Sequence, residues 1–95
     1  MILPEYSLEP RAFLTWAVDG PVVPLFVWAE APVNVYLVNS RNLRLYRKRV
    51  AFVHHGPGTV QMYSSTVRLP RATSPWHVVL ENPTGHAVRV AANVT

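Results

Sequence analysis

The sequence predicts an all-β domain: an antiparallel β-sandwich, jelly-roll-like in layout, of about seven or eight short strands. Three observations predict it. Valine, tyrosine, phenylalanine, tryptophan and threonine come in short runs. Glycine, proline, asparagine or serine separates one run from the next at regular intervals. No long segment repeats its apolar residues at helical spacing.

Each element follows from its residues. Residues 1–11, with Pro4 and Pro10, read as an extended arm able to lie along a sheet edge of its own molecule or of a neighbour. Strands are expected near 12–18, 22–30, 33–39, 50–55, 59–64, 66–70, 75–82 and 86–94. Pro24 interrupts the second of these. Proline cannot donate to a ladder, so that strand is expected at an edge or bulged. "HHGPGT", 54–59, reads as a tight turn between strands.

The last two strands read as a hairpin closed by "NPTG", 82–85. Asn82 and Pro83 suit the first two positions of a type I turn, and Gly85 can take a positive φ. The resulting three-residue loop pairs Leu80 with Val88, Val78 with Val90 and Trp76 with Ala92, all apolar, so that face is expected in the core. A four-residue loop would set Val78 against Arg89 and mix core with solvent.

Size and composition set further bounds. All 95 residues form one expected domain, 1–95. A chain of this length buries only about 60–65% of the surface its unfolded form exposes, so the core must be well packed. Trp16, Trp28 and Trp76 are assigned to it, rather than to a sugar-stacking surface. With no cysteine, disulfides and thiolate metal sites are excluded, and a staple-free core fits a cytoplasmic location. The start "MILPEYSLEPR" lacks the pattern of a signal peptide. Asp19, Glu30 and prolines interrupt the most apolar stretch, so no membrane span is expected.

Catalytic and metal chemistry find little support. His77 and His86 are expected on opposite faces of the hairpin, and His54 and His55 on opposite faces of a strand, so neither pair can share a metal. Ser64 and Ser65 in "MYSSTV" lack the glycines of a nucleophile elbow. Asp19 is the sole aspartate, and Glu81 has no nearby acid to pair with. "GPG" at 56–58 is too short for a phosphate loop and opens no helix. No enzyme, catalytic residue, metal or cofactor is expected.

Charge is uneven. Residues 1–40 carry a net −3 and residues 41–95 a net +7, for +4 in all. The basic run "SRNLRLYRKR", 40–49, reads as a loop whose Arg41, Arg44, Arg47, Lys48 and Arg49 could grip anions while Tyr46 stacks a base. The plainer reading is a connection whose leucines and tyrosine dip into the core while its charges stay wet.

The order of "VNVYLVNSRNLRLY", a glycine turn at "HHGPG", "STVRLPRATSPWHVVLEN" and "AVRVAANV" resembles the bacterial domain-of-unknown-function family 1883. The resemblance spans roughly residues 33–94 and rests most on Asn39, Ser40, Asn42, Tyr46, Pro70 and Trp76. The chain departs from the pattern where Arg47, Lys48 and Arg49 follow the tyrosine and where Ser74 and Pro75 precede Trp76. The family implies a small β-sandwich related in layout to GOLD domains, with no known catalytic residues, and a binding or sensing role. The expected function is thus a non-catalytic interaction module for a protein partner, engaged through the edge of strand 22–30 or the arm 1–11. Such edges also permit a homo-oligomer. The alternative is binding of nucleic acid or another polyanion through 41–49.

Overall fold

The computed structural model describes residues 2–18, 21–71 and 75–94. Asp19 and residues 72–74 lie outside the described residues. Among the described residues six strands and one helix follow in order: β1 (Ile2–Leu8), β2 (Phe13–Val18), β3 (Val22–Asn39), α1 (Ser40–Arg47), β4 (His55–Arg68), β5 (Trp76–Glu81) and β6 (Val88–Val94). All strand pairings are antiparallel. The all-β expectation holds; the count of seven or eight strands does not.

β3 is the spine. β4 runs along one edge of it, from Val22 opposite Arg68 to Leu37 opposite His55. The other edge is shared. β6 pairs with the first half, Leu25–Ala29, and β5 with the second, Asn34–Asn39. β1 extends the first limb by pairing with β6, and β2 extends the second by pairing with β5. One curled sheet thus has two limbs around a shared core.

The exchange of neighbours on β3 has a local cause. Trp28 lies opposite Met62 but Val33 lies opposite Val60, so four residues of β3 face one of β4. Such an excess bends the strand and re-aims it. Pro32 sits in this break, where no ladder bond is demanded of its missing N–H. Gln61 Nε2 donates to the Glu30 carbonyl there at 3.1 Å. The expected strands 22–30 and 33–39 are therefore two halves of one strand. The run 22–30 is paired on both sides, not at an edge. Pro24 is tolerated because the β6 ladder begins only at Leu25.

Other expectations merge or fall for related reasons. The arm 1–11 is a true strand, β1, on β6. The expected strands 59–64 and 66–70 join as β4, and 51–54 has no regular structure. "HHGPGT" is no turn between strands. It holds a bulge within the β3–β4 ladder, where the register slips between Val35 and Leu37. Gly56 takes φ +99° there, and a Cβ on it would come within 2.8 Å of Leu37 Cδ1.

The 76–94 hairpin is corrected in a different way. β5 and β6 pair with opposite halves of β3 rather than with each other. Yet Val78, Leu80, Val88, Val90 and Ala92 are buried in the core with Leu8, Val23, Leu25, Val27, Val33, Val35 and Leu37. Alternation chose the right face, and tertiary pairing chose different neighbours. The link 82–87 is an arch between limbs, organised by Asn82. This side chain is fully buried, and its Nδ2 donates to the carbonyls of Leu8 (3.0 Å), Glu9 (3.1 Å) and His86 (2.8 Å). Its Oδ1 accepts from Thr84 N and Oγ1 at 2.9 and 2.7 Å.

A second, smaller cluster lies on the outer face of the β5 limb, where Val38 and Val79 pack under Leu43 of α1. Covering both faces explains why Val78, Val79 and Leu80 are all buried. Trp16 and Trp76 pack against the main core half-buried. Trp28 does not join it: it points to the opposite face of β3, beside the exposed Met62. Among the described residues no helix is long and apolar enough to cross a membrane.

Candidate functional site

The basic run 40–49 is a helix, not a loop. Asn39 caps it in extended backbone, and its Oδ1 accepts from Asn42 N at 2.9 Å. Leu43 turns inward onto Val38 and Val79. Arg44 and Arg47 sit in the last turn, where cations suit the exposed carbonyls. The end closes with two bonds, Arg49 N to Tyr46 O at 3.0 Å and Val50 N to Leu45 O at 3.2 Å. This is the Schellman arrangement, and it puts Arg49 at φ 60°, a conformation usually given to glycine.

Tyr46 is not a free stacking platform. Its ring meets Phe13 and Phe52 edge-on, with centroids at 5.1 and 5.3 Å, and Tyr36 at 6.0 Å. Its hydroxyl donates to Glu81 Oε2. The other carboxylate oxygen accepts from Asn34 Nδ2 at 2.9 Å, and Asn34 Oδ1 accepts from Thr59 Oγ1 at 2.7 Å. Burial, then the Glu81 bond and charge, push the Tyr46 hydroxyl far above its ordinary pKa. Burial and Glu81 raise Tyr36 as well. Tyr46 therefore anchors α1 to the sheet and leaves the anion-binding set that the sequence suggested.

The cations behave differently. Arg41, Arg44, Arg47, Lys48 and Arg49 are all exposed. Among the described residues the ion pairs are those of Arg89, with Glu5 at 3.0 Å and Glu30 at 3.4 Å. Five cations in nine residues thus have no carboxylate partner there. Beside them lies an open groove of about 350 Å³, lined by the cap Asn39, by Arg41, Asn42 and Leu45 of the helix and by Ala51–Val53. Asn42 Oδ1 accepts the Val53 N–H at 2.9 Å and so holds the returning chain against α1.

One contact that sequence reasoning missed joins a hydroxyl to a histidine. Ser40 Oγ lies 3.1 Å from His77 Nε2 and 3.4 Å from the Pro75 carbonyl. Burial, and next the Arg47 charge, lower the His77 pKa. In the Ser–His–Asp arrangement a carboxylate orients the imidazole. The acid of this limb, Glu81, is already held by Asn34 and Tyr46. The contact joins α1 to β5. His54 packs on Tyr36 at 4.6 Å and His55 on Trp76 at 5.4 Å. Among the described residues no three His, Asp or Glu side chains gather as a metal site.

The free edges of the sheet are unequal. β1 carries Pro4 and Glu5 at a break in its register with β6, both devices that discourage a further strand. β2 spans six residues. β4 spans fourteen and, among the described residues, pairs only with β3. It has no charged side chain from Gly56 to Val67. A shallow depression of about 250 Å³ borders it, lined by Pro24, Leu25, Phe26, Ser64–Thr66 and Asn93.

Comparison with known proteins found no matching family model, no matching curated protein and no matching solved structure. Asn39, Ser40, Asn42 and Tyr46 hold α1 in place, and the Trp76 indole donates to the Pro70 carbonyl at 3.1 Å.

Proposed function

We propose that the protein is a non-catalytic interaction module that binds a protein partner by strand addition along the outer edge of β4. The length of that edge, uncharged from Gly56 to Val67, carries the reading. An added strand gains main-chain hydrogen bonds along it, and the Phe26–Met62 face beside it offers apolar contact. In this reading the two limbs are the layers of a small GOLD-like β-sandwich of the family 1883 kind, working in a reducing cytoplasm. A second copy of the chain is one partner this edge would accept.

Two prolines test it. In an antiparallel ladder, successive residues point their N–H groups to opposite sides. Of Ser64→Pro and Ser65→Pro, one removes a bond to β3 and the other only an outward donor. The variant that keeps the wild-type circular dichroism should lose partners that wild type captures from its native lysate, with little sensitivity to salt. Identical capture by both proteins would sink strand addition at β4.

A second reading, binding of an anionic ligand at α1, is favoured by the five exposed cations without carboxylate partners. Its affinity should fall steeply with salt as counterions are released. An affinity indifferent to salt would refute it.

A further inference from the structure

The basic helix carries a second feature. Phe52 turns inward onto Tyr36 and Tyr46, while the residues around it face solvent. Val53 is 71% exposed and Val50 48% exposed, and Ala51 is exposed between them. Leu45 forms the apolar wall of the adjoining groove. Both valines are held to α1 through their N–H groups, Val50 donating to the Leu45 carbonyl and Val53 to the Asn42 side-chain Oδ1. Arg41, Arg44 and Lys48, at three- and four-residue spacing, line one side of the same helix, and Arg47 and Arg49 flank it.

This combination separates two anionic partners. A single-stranded nucleic acid is gripped by cations and by rings on which bases stack. Tyr46, the ring interleaved with these cations, is committed to Glu81 and its aromatic neighbours. Exposed aliphatic side chains give a phosphodiester chain nothing to hold. A phospholipid surface uses both kinds of group, because cations meet headgroup phosphates while short apolar side chains enter the interface. Of the carboxylates that such a surface would repel, Glu5 and Glu30 are tied to Arg89 away from α1, and Glu81, beneath the helix, is held by Tyr46 and Asn34.

We propose that α1 and the segment 50–53 form a docking face for an anionic phospholipid surface, with Arg41, Arg44, Arg47, Lys48 and Arg49 at the headgroups and Val50 and Val53 in the interface. The proposal rests on the second reading above for the anionic character of the ligand, and it is independent of the β4 edge.

The test is co-sedimentation of the intact protein with two vesicle types, phosphatidylcholine alone and an equal mixture with phosphatidylserine, across a salt series. Labelled single-stranded and duplex nucleic acid are titrated in parallel. Three proteins are compared: wild type, the exposed double variant Val50→Ser/Val53→Ser, and Arg44→Ala/Arg47→Ala/Lys48→Ala. Wild type should prefer the mixed vesicles by at least about tenfold. The valine variant should lose about tenfold of that partition, and the charge variant should lose the preference altogether. No preference for the mixed vesicles, or equal binding by the valine variant, overturns the proposal. Nucleic-acid binding that survives in the valine variant while vesicles fail would overturn it yet keep the anionic reading. Absence of both kinds of binding at low salt would overturn both.

Discussion

Asn82 shows how much one side chain decides. Its sequence context reads as the opening of a tight turn, yet it is fully buried and joins the β5–β6 arch to the β1–β2 connection. Asn82→Ala would strip the buried Leu8 carbonyl of its Asn82 donor and remove the further bonds to Glu9, His86 and Thr84, and we expect a loss of about 2–4 kcal/mol in urea denaturation. Arg49 offers the opposite sign. An L-residue at φ 60° carries strain that glycine lacks, so Arg49→Gly should stabilise by about 1 kcal/mol in the same assay. An unchanged midpoint would mean that the arginine side chain repays its strain through contacts of its own. Spectrophotometric titration should find Tyr36 and Tyr46 ionising above the ordinary phenol range, since both hydroxyls are partly buried near Glu81.

At the scale of elements, α1 and β4 carry the lessons. The helix is legible in retrospect. Asn39 is a standard cap, and Leu43 and Tyr46 share a face at three-residue spacing with cations around them. Eight residues are too few for periodicity to stand out, and five charges masked the two anchors. What the sequence could not show is Glu81, thirty-five residues from Tyr46 in the chain, which turns the tyrosine into a tether. β4 was divided at Ser65 because its residues read as two runs, while the continuous partner β3 keeps it one strand. Its bulge depends on Gly56. Gly56→Ala puts a methyl 2.8 Å from Leu37 Cδ1 and 3.3 Å from Val35 O at φ +99°. A cost of about 2–3 kcal/mol is expected by thermal or urea denaturation, and a neutral result would show that the bulge can relax.

For the whole molecule, pH reads how the limbs are joined. Glu30, at the bend of β3, has its pKa lowered from 4.5, first by the Arg89 backbone N–H it accepts. A depressed carboxylate contributes stability that is present above 4.5 and is lost as pH falls through its folded value. His77, in the contact of α1 with β5, is lowered from 6.5. Below 6.5 the unfolded chain binds a proton that the folded chain resists, so stability already declines there as pH falls. Urea midpoints should therefore drop from about pH 6.5 downward, and His77→Gln should flatten the first part of the decline. A midpoint constant between neutrality and the range below 6.5 would contradict the burial of His77.

Composition and local pattern were enough to set the all-β class and the buried face of β5 and β6, though not the place of Trp28, which lies off the core. Alternation of apolar residues is local, and it selected the inward face of β5 and β6 whatever strands lay beside them. It also concentrated the cations at 41–49, which the structure displays together on one exposed helix. Which strands are neighbours was settled by long-range packing, because antiparallel ladders accept many partners of equal apolar pattern. The excess residues around Pro32 bend β3 and divide its edge between β6 and β5. That division separates β5 from β6, buries Asn82 in the arch between them, and leaves β4 with an open edge. The anchoring of Tyr46 is decided in the same way, through a carboxylate brought from a distant strand.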